Sequence, residues 1–295
     1  MQTAEQGRAQ MRFFAPAPAL APYLSAIYLN DIDVPPGTRM ADTLHPEWAN
    51  LRFIEGDPGA ASIGPGDLAA TPACVLAGPT CHATHFETGT IRSWGFGLLP
   101  LGWSKFVRAS AEDYADRFVD AEADPAFANL VGLRPQLRDP GADPHQQAAA
   151  INDHLLALLA DAPADDPLVA RAHAALADPE VGTVGALAER VGISERSLER
   201  LSRRAFGFTP KLLLRRQRFL RTLGEVMLDA SRSWSSTLDD HYHDQSHFTR
   251  DFHRFMGVTP RAYMAQPHPV LAAAVRGRMA AAGAPMQVLH RPDAR

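Results

Sequence analysis

Two short segments in the last third of the chain contain residues that could hydrogen-bond the edges of nucleic-acid bases. Residues 194–221 include nine basic and two acidic side chains. In the second segment, polar and basic residues lie between Phe248, Phe252 and Phe255, which are spaced by four and three. Arginine reads guanine through two hydrogen bonds, and glutamine reads adenine in the same way. The plain alternative for such a basic run is a helix face exposed to solvent.

Charge divides unevenly along the 295 residues, whose net charge is −4. Residues 1–179 contain 11 basic and 22 acidic side chains, a net of −11, whereas residues 180–295 contain 18 and 11, a net of +7. This asymmetry favours a polyanionic partner for the C-terminal part alone. Hydrophobic residues at 46% and charged residues at 21% exclude wholesale disorder and rod-like repeats, and the length favours two domains.

Residues 183–207, which overlap the start of the first segment, predict two helices joined by a tight turn. An apolar stripe at helical spacing is followed by Gly192, where a helix would end in a left-handed turn. Ser194 is the predicted N-cap of the next helix, in which Leu198 and Leu201 would point inward. A helix, a glycine turn and a second helix with exposed basic positions is the geometry that lays a helix in the major groove of DNA.

The second segment ends in the same way as the first. RRAFGFTP and HRFMGVTP both have a phenylalanine shortly before a glycine, which is followed by an apolar residue, threonine and proline. We expect the glycine to close each helix, the threonine to cap the next helix, and the proline to occupy its first turn. Asp244 is the predicted N-cap of the second reading helix.

Two longer stretches, LAERVGISERSLERLSRRAFGFTPKLLLRRQRF and YHDQSHFTRDFHRFMGVTPRAY, resemble the DNA-binding domain of AraC/XylS-type transcription regulators. The resemblance covers about residues 181–266. It implies two helix-turn-helix units that are held by a long helix, at about residues 211–229. Such an arrangement reaches two neighbouring major grooves from one side of a duplex.

By position, the resemblance assigns two kinds of DNA contact. Base-edge contacts fall on Arg196, Glu199 and Arg200 in the first unit and on Gln245, Ser246, His247 and Arg250 in the second. Phosphate contacts, which position a protein without specifying sequence, fall on Ser194, Arg203, Arg204 and Arg254. Two roles stay open for Glu199, which could accept a hydrogen bond from cytosine or steer Arg196 and Arg203 through ion pairs.

The second unit departs from the family pattern at the turn before its reading helix. Asp239, Asp240 and His241 replace the usual small residues and turn glycine. Acidic side chains near DNA phosphates would weaken non-specific affinity. The first unit is therefore the candidate for the larger share of the affinity.

The N-terminal half predicts a small antiparallel β structure. Between about residues 38 and 107, short apolar runs alternate with Gly, Pro and Asp turn signals, which is typical of a barrel or sandwich. LAGPT and SWGFGLLPLGW resemble, more weakly, the cupin-like sensor domain of some AraC-type regulators, which implies a small-molecule effector. The predicted fold is α+β, with a cupin-like antiparallel barrel or sandwich with helices followed by an all-α double helix-turn-helix domain.

The expected organisation has five parts. They are an N-terminal tail over 1–13, a sensor and dimerisation domain over 14–162, a linker and first helix over 163–180, the DNA-binding domain over 181–266, and a C-terminal extension over 267–295. A helix with one apolar face, formed by Ile151, Leu155, Leu158 and Leu159, could pack on its own domain or pair with a second copy. The Ala-rich part of the extension could also form a helix.

Four aromatic residues of the N-terminal half have two interpretations. They could line an effector pocket, as cupin-like sensors enclose one small ligand, or they could pack in the core. Core packing is the better-supported interpretation for each residue taken alone. The four residues are Trp48, Phe53, Trp94 and Phe96.

Metal-ligand and thiol chemistry find little support in the same half. His82, His85 and Glu87 in CHATHFE lack two histidines at a spacing of two with further ligands converging on them. We therefore expect neither a metal nor a cofactor. Cys74 and Cys81 are expected to be free structural thiols.

These patterns together predict a cytoplasmic, nucleoid-associated, non-enzymatic transcription regulator that binds double-stranded DNA sequence-specifically. A small-molecule effector, RNA polymerase and a second copy are the further expected partners. The N-terminus lacks the apolar run of a signal peptide, and no stretch approaches a membrane span. Two alternatives stay open, namely a cupin-like enzyme or metal-binding protein with an attached DNA-binding domain, and a non-specific architectural DNA-binding protein.

Overall fold

The computed structural model describes residues 7–228 and 245–282. Ten strands lie in the N-terminal half of these residues. They are β1 Arg8–Phe14, β2 Leu24–Asp33, β3 Met40–Leu44, β4 Ala49–Gly56, β5 Ala60–Ile63, β6 Ala69–Ala70, β7 Cys74–Ala77, β8 Thr84–Thr88, β9 Ile91–Leu98 and β10 Phe118–Asp120.

The strands form a sandwich of two antiparallel sheets. The larger sheet has the order β1-β2-β9-β4-β7-β10, and the smaller sheet has the order β3-β8-β5-β6. Across the described residues the two sheets share no ladder, so they do not close into a barrel. Of the two expected forms, the sandwich is therefore the one that the chain adopts.

The tail expected over residues 1–13 is wrong from Arg8 onward. Residues 8–14 form β1, which pairs with β2 over seven positions, from Arg8 opposite Asp33 to Phe14 opposite Ile27. The strand covers the edge of β2, so the sandwich begins before the position that the Pro/Ala-rich run suggested.

Eleven helices occupy the rest of the described residues. They are α1 Pro100–Phe106, α2 Ala128–Val131, α3 Arg134–Leu137, α4 Pro144–Ala160, α5 Pro167–Ala177, α6 Val184–Val191, α7 Glu195–Phe206, α8 Pro210–Leu228, α9 Gln245–Met256, α10 Pro260–Met264 and α11 Pro269–Ala282. The α+β class is confirmed, with a sheet-rich N-terminal part and a helical C-terminal part.

The larger sheet has two different faces because side chains alternate along each strand. Phe53 lies opposite Trp94 on the face that packs against helices, and the indole Nε1 of Trp94 donates to Gln147 of α4 at 3.0 Å. Arg52 lies opposite Gly95 on the face that meets the smaller sheet. The apolar core follows the first face and continues into the C-terminal helices.

The amphipathic helix α4 uses its apolar stripe inside its own chain. Ile151 and Leu155 are fully buried in the core, and Asn152 accepts a hydrogen bond from the backbone of Ala17 at 2.6 Å. Of the two expected roles of this face, packing on the N-terminal domain is the one that these contacts support.

Close contacts join the sandwich to the C-terminal helices. The backbone N–H of Ala83 donates to the carbonyl of Phe255 at 2.7 Å, and the imidazole of His45 lies 2.7 Å from the hydroxyl of Tyr263. The ring of Trp48 packs against that of Phe206, with centroids 6.0 Å apart. The sandwich therefore contacts both the first and the second segment of the C-terminal part.

Candidate nucleic-acid interface

The first helical unit is built by three local signals that the sequence carries. Thr183 caps α6 by accepting from the N–H of Ala186 at 3.1 Å. Gly192 follows α6 with φ +78°, a left-handed conformation that a side chain would strain. Ser194 then caps α7, as expected, by accepting from the N–H of Ser197 at 3.3 Å.

Helix α7 separates an apolar face from a basic one. Leu198 and Leu201 are buried against the core, as expected. The exposed positions include most of the first unit's candidate contacts, namely Ser194, Arg196, Glu199, Arg200 and Arg204. Arg196 and Arg200 form no ion pair within residues 7–228 and 245–282, so their guanidinium groups are available to a ligand.

The candidate phosphate contacts of α7 already have acidic partners in the structure. Arg203 pairs with Glu112 of the N-terminal half, and its Nη2 also lies 3.2 Å from the carboxylate of Glu199, one helical turn earlier. Arg204 pairs with Asp166 at 2.8 Å. The pair between Glu199 and Arg203 is one part of the steering role considered for Glu199.

The second unit is held by aromatic packing. Phe248, Phe252 and Phe255 are buried and surround the ring of Phe219 on α8, with centroid distances of 5.0–6.1 Å. Ser246, Arg250 and Arg254 are exposed, and His247 is partly exposed. Gln245 begins α9, but its side chain lies outside the described residues, as do Asp239, Asp240, His241 and Asp244.

Both reading helices end through the same device, as the shared sequence predicts. Gly207 follows α7 with φ +84°, and Gly257 follows α9 with φ +74°. Thr209 and Thr259 then each accept a hydrogen bond from the backbone N–H of the third residue of the next helix, at 3.4 Å and 3.2 Å. Proline occupies the first position of α8 and of α10.

A basic groove of about 650 Å³ lies between the two units. Its walls are the N-terminus of α6, one side of α8 and the first turns of α9. The basic residues that line it are Lys211, Arg215, Arg218, His247 and Arg250. The first three were not among the residues expected to contact DNA, although their spacing of four and three along one helix places them on a single face.

Asp251 organises part of this groove. Its side chain is fully buried, and it pairs with Arg215 and, at 3.2 Å, with Arg218. This one carboxylate lies between two guanidinium groups, and Lys211 and Arg250 add positive charge to the described lining of the groove. Burial, followed by the charge of Arg218, lowers the pKa of His247, so its imidazole is neutral at neutral pH.

The aromatic residues considered for an effector pocket lie in the packed core. Trp48, Phe53, Trp94 and Phe96 are each exposed by 3% or less. The cavity between the two sheets is lined by other residues, because these side chains lie on the helix-facing side of the larger sheet or at the contact with the C-terminal helices. The sequence could not decide which face of each strand was turned toward the cavity.

The thiols of the N-terminal half are buried, and two of its histidines have hydrogen-bonding partners. Cys74 and Cys81 are free and buried, and burial raises the pKa of Cys74 to about 12. His82 lies 3.3 Å from Asp116, and His85 lies 3.1 Å from the hydroxyl of Thr43. Within the described part of the chain, no three His, Cys, Asp or Glu side chains gather as a metal site would require.

Three comparisons place the chain among known proteins. Residues 187–266 match the family described as "Helix-turn-helix domain", and no curated protein matches the chain. Among solved structures, an apo ToxT variant from Vibrio cholerae is 10% identical with a TM-score of 0.44, covering 81% of this chain and 97% of that one. ToxT from Vibrio cholerae O395 is 9% identical with a TM-score of 0.41, covering 88% and 97%.

No helix in residues 7–228 or 245–282 combines the length and the apolar composition of a membrane span.

The matched residues include α7, α8, α9 and α10, with their glycine turns and threonine caps. Residues 187–266 are accordingly an AraC-type helix-turn-helix domain.

Proposed function

We propose that the chain recognises a specific double-stranded DNA sequence through α7 and α9 and regulates transcription in response to a small molecule bound by its N-terminal domain. The observation that carries the DNA part is the pair of helices, α7 and α9, that end through the same glycine device, together with the basic groove that α9 borders. Helix-turn-helix proteins place the first turns of such a helix against base edges in the major groove.

Side-chain positions support a division between base and phosphate contacts. We assign base edges to Arg196 and Arg200 on α7 and to Ser246, His247 and Arg250 on α9, with Gln245 and Glu199 completing the two reading faces. We assign phosphates to Ser194, Arg203, Arg204 and Arg254, by their positions in the resemblance. Phosphate contacts set register and supply salt-dependent affinity, whereas base contacts supply specificity.

The groove adds a third group of contacts to this proposal. Lys211, Arg215 and Arg218 lie on α8 between the two units, where the DNA backbone would pass from one major groove to the next. The N-terminus of α6 also lines the groove, and helix N-termini favour negative charge. These groups would neutralise phosphates without reading sequence.

The proposed organisation follows from the same contacts. We assign residues 14–162 to the sensor domain, with β1 now added to it, residues 163–180 to a linker and first helix, residues 181–266 to DNA binding, and residues 267–295 to an extension. A second copy and RNA polymerase remain proposed partners. The apolar face of α4 is used within the chain, so a dimer through that helix would have to use its remaining surface.

Selection of binding sites from random duplexes by the purified full-length chain tests the DNA part. The expected result is one enriched motif with two half-sites about one helical turn apart, because two units of one chain face the same side of the duplex. Enrichment without a motif would favour the non-specific architectural alternative. Failure to retain any duplex at low salt would overturn the proposal, since the phosphate contacts alone bind DNA under that condition.

A further inference from the structure

The two sheets of the sandwich enclose a cavity of about 100 Å³ whose lining is mostly apolar. Ile54 and Ile91 of the larger sheet and Phe86 of the smaller sheet are among its walls. A buried water needs about 10–15 Å³ of such space, so the cavity holds a molecule of about seven to ten non-hydrogen atoms. This is the size of a small metabolite.

Three charged side chains line the cavity, and their charges do not balance. Arg52 lies 2.8 Å from Glu47, and Arg278 lies 3.7 Å from the other oxygen of the same carboxylate. The three side chains are only 16–18% exposed. Two guanidinium groups therefore share one carboxylate in a largely buried place, which leaves a single positive charge at the cavity wall. A monoanion would neutralise it.

Asn30 supplies a second polar requirement. It is 7% exposed, it lines the cavity, and its side-chain oxygen has no hydrogen-bond partner among the described residues. A buried acceptor without a donor is destabilising, and a ligand hydroxyl would satisfy it. Arg52 lies in the same row of the sheet as Tyr28, since both lie opposite Gly95 of β9, whereas Asn30 lies opposite Ser93 in the next row. The hydroxyl and the carboxylate of the ligand would therefore lie at its different ends.

The C-terminal extension forms one wall of this cavity. Val270, Ala274 and Arg278 of α11 all line it, and they recur at the spacing of one helix face. The same helix packs along β1, where a side chain at Gly277 would come within 2.7 Å of the Phe13 ring. Because α11 directly follows α10 of the DNA-binding domain, a ligand here would touch both parts of the chain.

We propose that the cavity binds a small hydroxycarboxylate with an apolar body, its carboxylate held by Arg278 and Arg52 and its hydroxyl donating to Asn30. The proposal rests on the proposed effector response of the N-terminal domain and gives that response a site and a ligand class. It also gives residues 269–282 a role, because this helix forms a wall of the cavity and would transmit the binding of a ligand to the DNA-binding helices.

Calorimetric titration of the full-length chain with 6-hydroxyhexanoate tests this site. Hexanoate lacks the hydroxyl and 6-hydroxyhexanamide lacks the charge, so both are expected to bind at least about tenfold more weakly. Arg278→Gln should weaken binding of 6-hydroxyhexanoate by at least about tenfold. Arg276→Gln, which removes the same charge from an exposed position of α11, is the matched control and should leave it unchanged.

Two further variants separate ligand contacts from folding. Asn30→Ala should remove the preference for 6-hydroxyhexanoate over hexanoate, and Ala274→Leu should fill the cavity and abolish binding of both. Each variant is first checked for an unchanged melting temperature and for binding of the selected duplex. If Ala274→Leu fails to fold, the Arg278→Gln and Asn30→Ala results decide.

The proposal is overturned if no probe binds at millimolar concentration, if the amide binds as well as the acid, or if Arg278→Gln and Arg276→Gln behave alike. If the full-length chain binds no probe but still selects a DNA motif, this site alone is overturned. Probe binding by a chain that selects no motif overturns the DNA part of the proposed function and leaves the site standing.

Discussion

Asp42 and His268 lie 2.9 Å apart, although 226 positions separate them in the chain. Asp42 belongs to β3 of the smaller sheet, and its other carboxylate oxygen accepts from the N–H groups of Val270 and Leu271, at 2.7 Å and 2.9 Å. The Asp42 side chain is fully buried. One carboxylate therefore caps α11 and fixes the C-terminal extension to the sandwich.

Asp42→Asn should destabilise the folded chain. The amide can no longer accept at full charge from the four donors, which are the ring of His268 and the backbone N–H groups of Thr43, Val270 and Leu271. Buried donors that lose a charged partner cost about 1–3 kcal/mol each. We expect the free energy of unfolding in urea to fall by about 3 kcal/mol. Asp67→Asn, at an exposed position, is the control and should change it by less than about 0.5 kcal/mol. Equal behaviour of the two variants would mean that the cap does not hold α11.

The same pair predicts a dependence of stability on pH. The hydrogen bond to Asp42 raises the pKa of His268 above its ordinary value of 6.5. A raised histidine pKa contributes stability that is complete below the unfolded value and is lost as pH rises through the folded value. In the natural chain, the midpoint of unfolding should therefore decrease as the pH rises from 6.5 through the raised pKa. His268→Gln should flatten this part of the curve, and an unchanged slope would contradict the assignment.

Local signals in the sequence were sufficient for the helical units. Gly192, Gly207 and Gly257 close helices, and Ser194 caps α7. These features could be predicted because such residues act on the backbone within a few positions of themselves. The apolar runs likewise placed the central strands. β1 was missed because its seven residues are stabilised by pairing with β2 rather than by a pattern of their own.

Long-range relationships could not be predicted in this way. Asp42 gives no sign in the sequence that it caps a helix more than 220 residues later. Arg52 and Glu47 are charged, whereas the inside of a sandwich is expected to be apolar, so the sequence did not indicate that they line the cavity. The aromatic residues chosen as pocket candidates were equally suited to core packing, and only the strand register assigns them to a face.

Arg200 and Arg203 should respond differently to alanine substitution. Arg200→Ala removes an assigned base contact, so affinity for the selected site should fall by about 1–3 kcal/mol and base preference should relax. Arg203→Ala removes an assigned phosphate contact, so all duplexes should be bound more weakly and the salt slope should drop by about one. Fluorescence anisotropy at several salt concentrations, on selected and scrambled duplexes, measures both. Identical behaviour would refute the division of contacts.

Glu112→Ala should strengthen DNA binding. Glu112 pairs with Arg203 and so competes with a DNA phosphate for the same guanidinium. Because both side chains are 40–44% exposed, the pair contributes at most about 1 kcal/mol, and affinity should rise by about two- to fivefold for all duplexes. Asp113→Ala removes the same charge from the neighbouring residue and serves as the control. An increase of the same size in both variants would mean that affinity rises because of the change in net charge and not because Arg203 is released.

Arg216→Met should stabilise the chain. The Arg216 side chain is completely buried, and its Nε, Nη1 and Nη2 have no hydrogen-bond partner in the part of the chain that the structure describes. It lies over the ring of Trp48 at 4.3 Å, a contact worth about 2 kcal/mol when desolvated. Burial lowers the pKa of this guanidinium, which reflects the cost of keeping its charge away from water.

The balance of these two terms sets the size of the expected change. Several unpartnered donors at about 1–3 kcal/mol each outweigh one cation–π contact, and methionine keeps much of the volume. We expect the free energy of unfolding to rise by about 1–3 kcal/mol in urea titrations. Lys211→Met, at an exposed position of the same helix, should leave it within about 0.5 kcal/mol. A loss of stability in the Arg216 variant would instead mean that the contact with Trp48 exceeds the desolvation cost and holds α8 on the sandwich.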